Sequence, residues 1–506
     1  LGSGEFMKVD KKRFIPSLLI IAVMLVVVSF NLNFIKNNVD NVYNVISHKF
    51  SWLFILANIA AFIFSLWIIF GRYSNVKLGG EKATPEYSKF SWIAMMFTTS
   101  CSAGLIVFGF IESIIYASNP PFDVVPLSKD AYELAQSYSH YHWGLNAWTL
   151  YVPISIALGI LLHNKHIKNV NMSAACDITP SKKDGFIKVL LDIFGIFGAV
   201  VAPVTSMGLG MPLLTLLIQT IFNVPADKVI ILQISILVIW ILIFGMSVYK
   251  GLNKGIKKLS DINVALAFLF MIVVAIIAGI PFVLKSEINN LGQYLINFPR
   301  MLTYTDPYGN GDFVAKWTVW YWAWLIVYMP LMGIFNAKIS KGRTLKEMAL
   351  GQMIFCSLGC WVAMSTLGNY AIKIQQSGVL DIASILQNGT QAEAIVSIIK
   401  TMPFAKVMMF IVTILCFIFM ATTVDSSSFV AAESTYLHKD SKDLAPRWLR
   451  LFWAVIACII TFVLLQIGGF DAVQVLAILV GFPLAITMFV VIISSIKMLK
   501  REMKKS

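Results

Sequence analysis

The chain has 506 residues, of which 58% are hydrophobic and 13% are charged, and its mean hydropathy is +0.78. Soluble domains carry about 25% charged residues, so this composition excludes a soluble globular protein and predicts that lipid surrounds most of the chain. The net charge of +14 does not predict nucleic-acid binding, because the basic residues lie in short loops between apolar segments, where membrane orientation and anionic headgroups account for them.

Apolar runs follow one another along the whole chain. Each is long enough to cross a hydrocarbon core of ~30 Å as a helix, which takes about 20 residues. They predict an all-α polytopic membrane protein of about twelve transmembrane helices, with spans at 14–31, 52–70, 91–117, 140–163, 187–222, 228–249, 262–284, 315–337, 348–369, 403–431, 449–468 and 472–497. The fifth run is too long for one straight span, and Gly208–Pro212 within it predicts a break or a strong kink.

The chain ends and the basic residues predict the orientation. Residues 1–6 precede a start methionine, Met7, and are expected to be a cloning remnant. With the N-terminus in the cytoplasm, 30 of the 40 lysines and arginines fall in cytoplasmic segments, as the positive-inside rule requires. A missed or extra span would invert every later loop. We therefore expect both termini, including a short basic tail at 498–506, on the cytoplasmic side of the cell's inner (plasma) membrane.

Signatures of several other protein classes are missing from the sequence. Five of the six cysteines lie in apolar spans and none forms a metal-type C-x-x-C pair, so disulfides and metal sites are not expected. There is no phosphate-binding G-x-x-x-x-G-K-[ST] motif and no H-E-x-x-H motif. These absences argue against an ATP-driven pump and an intramembrane metalloprotease.

The third span contains a run of small and hydroxyl residues, Phe97–Gly104, in an otherwise apolar helix. Such a run lets two helices pack closely. Alternatively, the helix unwinds there, and its freed backbone groups line a substrate or ion site. The sequence leaves both interpretations open.

Aromatic residues are dense in the eighth span. Trp317 and Trp320 are followed by Trp324 and Tyr328 at helical spacing, which stacks all four along one face. An interfacial aromatic belt explains the first pair, but the second pair lies deeper, where an indole N–H and a phenol need partners or a polar cavity. Converging aromatic faces suit a methylated ammonium, which donates no hydrogen bond but is attracted to the ring quadrupole. Trp143, in the fourth span, is predicted to supply a further wall.

Polar residues in the tenth span favour a cation site. Asp425 would be costly in lipid and should face protein, an ion or a water-filled path. Thr422 and Thr423 either bond to carbonyls of their own helix or offer two oxygens to a hard monovalent cation. His142, at the start of the fourth span, is predicted to be a structural hydrogen-bonding residue and not a proton relay.

At these residues the sequence resembles the betaine/carnitine/choline transporter (BCCT) family, from the first span to the last. Within the family it looks nearest to the branch of carnitine/γ-butyrobetaine antiporters. The motifs that carry the likeness are Phe97–Cys101, Pro120–Phe122, Phe298–Pro307, Trp317–Tyr328 and Ala337–Thr344, together with Gly251–Gly255 and Leu259–Asp261 before the seventh span.

The resemblance implies a LeuT-type core of two inverted five-helix repeats, two additional N-terminal helices and a homotrimer. In this chain the N-terminal helices would occupy 7–87 and the first repeat 88–284. An external connecting segment would follow at 285–314, and the second repeat would occupy 315–497.

The resemblance also implies a substrate cage. Trp324 and Tyr328 correspond to cage aromatics of the eighth span, and Trp320 lies on the same face. Trp143 corresponds to the cage residue of the fourth span, and Met332 to a methionine near the substrate.

Two cage positions depart from the family pattern. Leu325 stands where the family has the second of two paired tryptophans. Ile115 stands where the antiporters have a cage tyrosine, although Tyr116 is adjacent. Both changes alter cation attraction and cavity volume, so the substrate's identity does not follow from the resemblance.

A third departure concerns energy coupling. Asn263 replaces the arginine whose charge takes the place of sodium in the sodium-independent antiporters, whereas Thr422 and Thr423 match the hydroxyl pair of sodium-coupled relatives. With oxygens around Thr99 and Ser102, these residues predict a sodium ion bound between the third and tenth spans. In the alternative, Asn263 donates its amide to those same groups and the site works without an ion.

The sequence therefore predicts a secondary transporter of a small quaternary-ammonium compound that works by alternating access. Coupling to Na⁺ is favoured over Na⁺-independent substrate/product exchange, and carnitine, γ-butyrobetaine, betaine and choline all stay open as substrates. A membrane enzyme that uses Asp425 and Glu112 as its carboxylates is a second class, but neither has a visible nucleophile or metal partner. A receptor or osmosensor is a third class, which the short tail at 498–506 disfavours.

Overall fold

The computed structural model describes residues 9–30, 41–167, 171–177, 185–250, 253–437 and 444–503. These residues are mostly helical and form no β-strand; two isolated bridges join Val9 to Tyr436 and Lys77 to Thr344. The predicted cloning remnant, the first two residues of the 251–255 motif and the last three of the basic tail lie outside the described residues.

Helices occur at all twelve predicted positions. The first is Lys11–Phe30. In the described part of the chain, nine helices are long and apolar enough to cross a membrane, and two bent pairs raise this number to eleven. The nine are Ser51–Phe70, Lys129–Asn164, Phe186–Phe222, Ala226–Met246, Ser260–Ala278, Leu345–Gln376, Ala405–Ser434, Arg447–Ile467 and Gly469–Met503, and the bent pairs are Lys89–Thr99 with Ala103–Ser118 and Val314–Val327 with Met329–Ile339. The prediction of a polytopic all-α membrane protein is confirmed.

Both bent spans are interrupted in the middle of the bundle. The third span stops at Thr99 and restarts at Ala103 with a bend of 60°, which confirms the interpretation of its small-residue run as an unwound segment. The eighth span bends by 54° at Tyr328, and the sequence analysis did not predict this bend. Pro330, two residues after the bend, is the sequence feature that could have predicted it, because proline has no backbone N–H and its ring displaces the carbonyl of the preceding turn. The breaks lie five spans apart, which is the spacing that two five-helix repeats would produce.

The fifth span is one continuous helix from Phe186 to Phe222, so it is not broken at Gly208–Pro212, where the sequence predicted a break or a strong kink. Its glycines serve close packing instead. A Cβ atom at Gly208 would lie 2.4 Å from a Val473 methyl group, and one at Gly210 would lie 2.5 Å from the Met420 sulfur. Contact with the tenth and twelfth spans therefore supports the helix where its sequence is weakest.

The seventh span ends earlier than predicted. Its helix stops at Ala278, because Gly279 adopts a φ of +95° that redirects the chain. A separate helix, Ile280–Thr303, follows. The predicted span at 262–284 therefore overran this turn, and much of the segment 285–314 is helical.

A polar cluster ties the helix Ile280–Thr303 to the bundle. The Glu287 carboxylate lies 2.9 Å from Nε2 of His140, in the fourth span, and accepts a hydrogen bond of 2.6 Å from the Ser365 hydroxyl, in the ninth. Burial opposes ionisation of Glu287, but the hydrogen bond and charge of His140 outweigh it and lower the pKa of Glu287.

The first helix is attached to the bundle by buried charges. Nε of Arg13 donates a hydrogen bond of 2.7 Å to Asp192, at the start of the fifth span. Arg13 also pairs with Asp10, and Asp192 accepts a further bond of 2.8 Å from the backbone N–H of Ser173. These side chains are all buried, so the pair is shielded from water.

Candidate functional site

Aromatic rings from the third, fourth and eighth spans meet beside the two helix breaks. Trp320 and Trp324 are stacked, with ring centroids 5.0 Å apart and planes inclined by 16°. Trp143 meets Trp324 edge-on at 5.6 Å, and Tyr328 meets it at 6.4 Å. We call this set the aromatic cluster; its members are Phe108, Trp143, Trp320, Tyr321, Trp324 and Tyr328.

The polar tips of the two deepest rings are bonded to the fifth span. The Trp324 indole N–H donates to the Thr205 hydroxyl at 3.0 Å. The Tyr328 hydroxyl donates to the Ala202 carbonyl at 2.6 Å. Both side chains therefore have the partners that their depth in the membrane requires, and their ring orientations are fixed.

A buried carboxylate holds the other side of the aromatic cluster. Oε2 of Glu112 accepts a hydrogen bond of 3.0 Å from the Trp143 indole N–H and another from the Tyr321 hydroxyl. The Trp143 N–H also lies 3.1 Å from the Tyr321 oxygen. In the sequence Glu112 is an isolated carboxylate, because partners 31 and 209 residues away are not visible there.

The helix that follows the break in the third span, Ala103–Ser118, begins directly against the aromatic cluster. A Cβ atom at Gly104 would lie 2.8 Å from the Trp324 ring, so only glycine fits at this position without displacing the indole. The third span therefore packs on the aromatic cluster immediately after its break.

Tyr116 and Trp317 continue the ring contacts of the aromatic cluster towards one end of the bundle, since the Trp317 ring meets that of Trp320 at 6.3 Å and that of Tyr116 at 5.5 Å. The Tyr116 hydroxyl is 2.8 Å from Nδ1 of His142, whose Nε2 is 3.2 Å from the Thr318 hydroxyl. Both ring nitrogens of His142 therefore have hydrogen-bond partners. Ile115 and Trp317 line a separate cavity.

That cavity, of about 700 Å³, adjoins the loops at this end of the bundle. Its wall includes charges of both signs, from Asp312, Lys316 and Asp471. It forms a polar vestibule next to the aromatic residues of the eighth span.

The two remaining candidates for substrate contact are buried in the apolar core. Leu325 follows Trp324 directly, and Met332 lies one turn beyond the bend at Tyr328. Their roles in substrate contact stay predictions.

The threonines of the predicted ion site bond within their own helices. The hydroxyls of Thr422 and Thr423 both donate to the Phe419 carbonyl at 2.9 Å, and the Thr99 hydroxyl donates to Met95 at 2.6 Å. Each hydroxyl still has lone pairs that a cation can use. The geometry is compatible with both interpretations that the sequence left open.

The third and tenth spans meet at a narrow cavity. Ser102 lines it from one side and Leu415 and Phe419 line it from the other. The hydroxyl oxygen of Ser102 accepts the Leu105 N–H at 3.2 Å. The Asn263 amide donates to the Leu415 carbonyl at 3.2 Å, so it binds the tenth span and not the unwound segment.

The other carboxylate singled out in the sequence, Asp425, has a protein partner. It pairs with Arg450 of the eleventh span at 3.4 Å. In the described ranges no group of three or more His, Cys, Asp or Glu side chains is arranged to hold a metal ion.

The third and eighth spans are both broken, next to buried aromatic and hydroxyl groups. This arrangement is typical of a membrane carrier with discontinuous helices. Residues 12–504 match the family described as BCCT, betaine/carnitine/choline family transporter. The chain belongs to this family. It is a multi-pass transporter of betaine/carnitine/choline-type compounds.

Proposed function

We propose that this chain carries a small quaternary-ammonium compound across the membrane by alternating access, and that the aromatic cluster is its binding site. The observation that supports this most is the convergence of Trp143, Trp320 and Trp324 within 5.0–5.6 Å at the bend of the eighth span. Ring faces attract a methylated cation that cannot donate hydrogen bonds. Because these rings pack on one another, they must separate to admit the ammonium group.

Uptake into proteoliposomes tests this proposal. Radiolabelled carnitine, γ-butyrobetaine, glycine betaine and choline are supplied with and without sodium, and with and without internal substrate. We expect uptake of at least one compound above that of protein-free vesicles. Protein that takes up none of the four under any condition would contradict the proposal.

We further propose that sodium drives transport from a site between the third and tenth spans. Thr422 and Thr423 supply hydroxyl oxygens, and the unwound segment around Thr99 and Ser102 supplies further oxygens. Asn263 has no charge to replace the ion. The alternative is exchange without sodium, and the uptake experiment distinguishes the two, because exchange requires internal substrate and ignores sodium.

Leu325→Trp should change the order in which the carrier prefers its substrates. A second indole beside Trp324 adds a cation-attracting face and reduces the space for the rest of the substrate. We expect the ratio of Kd values between carnitine and choline to change by about threefold or more, the equivalent of ~0.7 kcal/mol. Calorimetric titration with carnitine and with choline measures this ratio. Leu56→Trp, on the exposed side of the second span, is the matched control, and an unchanged ratio would remove residue 325 from the site.

We propose a homotrimer in the inner (plasma) membrane, with both termini in the cytoplasm. The family resemblance supports the trimer and the asymmetry of basic residues supports the orientation. The helix Ile280–Thr303 also exposes apolar side chains, among them Ile288 and Ile296 at 73% and 77%, which lipid or another copy would cover. Native mass measurement in mild detergent should give three copies, and a uniform monomer would contradict this proposal.

A further inference from the structure

Binding of a quaternary ammonium by aromatic rings does not explain why the carboxyl group of Glu112 lies beside those rings. This side chain is completely buried in the second helix of the third span, Ala103–Ser118. One oxygen accepts the hydrogen bonds from Trp143 and Tyr321, so the carboxylate touches two members of the aromatic cluster. The other oxygen, Oε1, has no hydrogen-bond partner among the described residues.

Glu112 has no basic partner among the residues that the structure describes. None of the ion pairs found in the described ranges includes it. The titratable groups around it come from its own helix and from the fourth, eighth and ninth spans, and they are Tyr116, His142, Tyr321 and Cys360. Burial of an ionised carboxylate that has no basic partner is strongly unfavourable, and the hydrogen bonds from Trp143 and Tyr321 offset only part of that cost, so burial favours the protonated form.

Arrival of a cation reverses this balance. An ammonium group among Trp143, Tyr321 and Trp324 would lie close to the carboxyl group that accepts hydrogen bonds from the first two rings. In a low-dielectric site a nearby positive charge strongly favours the ionised carboxylate. The rings attract the ammonium group, and the carboxylate then neutralises it.

We propose that Glu112 is the proton-binding group of the carrier: it is protonated when the aromatic cluster is empty and releases its proton when a quaternary ammonium binds. This inference rests on the proposed function. The O–H bond of the carboxyl group breaks, its electron pair stays on the carboxylate, and the proton passes to water on the side to which the carrier is open. Each bound cation therefore displaces one proton.

Infrared spectroscopy of the substrate-free protein in lipid tests the first half of the proposal. The wild type should show the stretching band of a protonated carboxyl group at neutral pH, and Glu112→Gln should lack it. The glutamine oxygen still accepts the bonds from Trp143 and Tyr321, so the cluster is retained. Asp425→Asn is the matched control and should keep the band, because the carboxylate of Asp425 is paired with Arg450. A wild type without any such band would overturn the proposal.

Calorimetric titration with choline and with glycine betaine tests the second half. Binding to the wild type should release one proton, seen as a difference in heat between two buffers of unlike ionisation enthalpy. The Kd of the wild type should fall by up to about tenfold for each unit by which the pH rises, over the pH range in which only the substrate-free protein holds the proton on Glu112. Glu112→Gln should release no proton and bind with a Kd that is independent of pH.

The outcomes separate this inference from the function on which it rests. Binding to the wild type without proton release, or equal release by wild type and Glu112→Gln, would overturn the role of Glu112 and leave the proposed function intact. A wild type that bound neither compound would overturn both. If Glu112→Gln does not fold, the wild-type band and its loss on adding choline still decide the matter.

Discussion

Trp324→Ala is expected to weaken the binding of every quaternary ammonium by at least about 25-fold. A ring face over a desolvated ammonium contributes about 2 kcal/mol or more. Trp324 also connects the stacked ring of Trp320, the edge of Trp143 and the ring of Tyr328, so its loss removes the centre of the cluster. Its bond to Thr205, which fixes the indole plane, is lost as well.

Titration of the four compounds named above measures this effect. Trp52→Ala is a suitable control, because Trp52 is 50% exposed at the lipid-facing side of the second span. It should bind like the wild type. Tyr328→Leu and Trp143→Leu should weaken binding in the same direction as Trp324→Ala. Unchanged affinity of Trp324→Ala for all four compounds would exclude the aromatic cluster as the site.

Thr423→Leu is expected to raise the sodium concentration needed for half-maximal uptake by about tenfold or more, which corresponds to ~1.4 kcal/mol. Leucine has a similar size but offers no oxygen to the ion. Asn263→Arg should also reduce the dependence of uptake on sodium, because the guanidinium of the new arginine would bring a fixed positive charge towards the tenth span. Asn263 already donates a hydrogen bond to the Leu415 carbonyl of that span.

The control for the threonine lies on the same helix. Thr413 donates to the carbonyl four residues before it, as Thr423 does, but it is nearly three turns away from the predicted ion site. Thr413→Leu should keep the sodium dependence of the wild type. Full uptake or exchange in sodium-free buffer, insensitive to Thr423→Leu and to Asn263→Arg, would exclude the sodium site and favour the exchanger.

Helix positions were predictable because twenty-residue apolar runs are a strong signal, whereas helix interruptions depend on context. The small-residue run at Phe97–Gly104 allowed either close packing or an unwound segment, and the helix is unwound there because hydroxyl residues and Gly104 weaken it locally. The glycines and Pro212 of the fifth span predicted a break or a strong kink, but the helix is not broken there, because neighbouring helices pack into the space that the missing side chains leave. At Gly279 the apolar run continues but the helix ends, because this one residue has a positive φ.

The site was predictable only in part. The spacing of Trp320, Trp324 and Tyr328 along one face is a property of a single helix and could be read from the sequence. The bonds of Trp324 to Thr205 and of Trp143 to Glu112 join different spans, and hydropathy does not specify which spans are neighbours. For the same reason the direction of the Asn263 amide could not be foreseen.

The buried ion pair between Arg13 and Asp192 affects the design of deletion experiments. A shortened protein that begins after the first helix would leave Asp192 as an uncompensated negative charge inside the bundle, and breaking such a pair is destabilising by about 3–5 kcal/mol. Loss of transport in that deletion would reflect misfolding. Deleting the helix together with Asp192→Asn separates the two effects, since the amide carries no charge yet can still accept the Ser173 N–H.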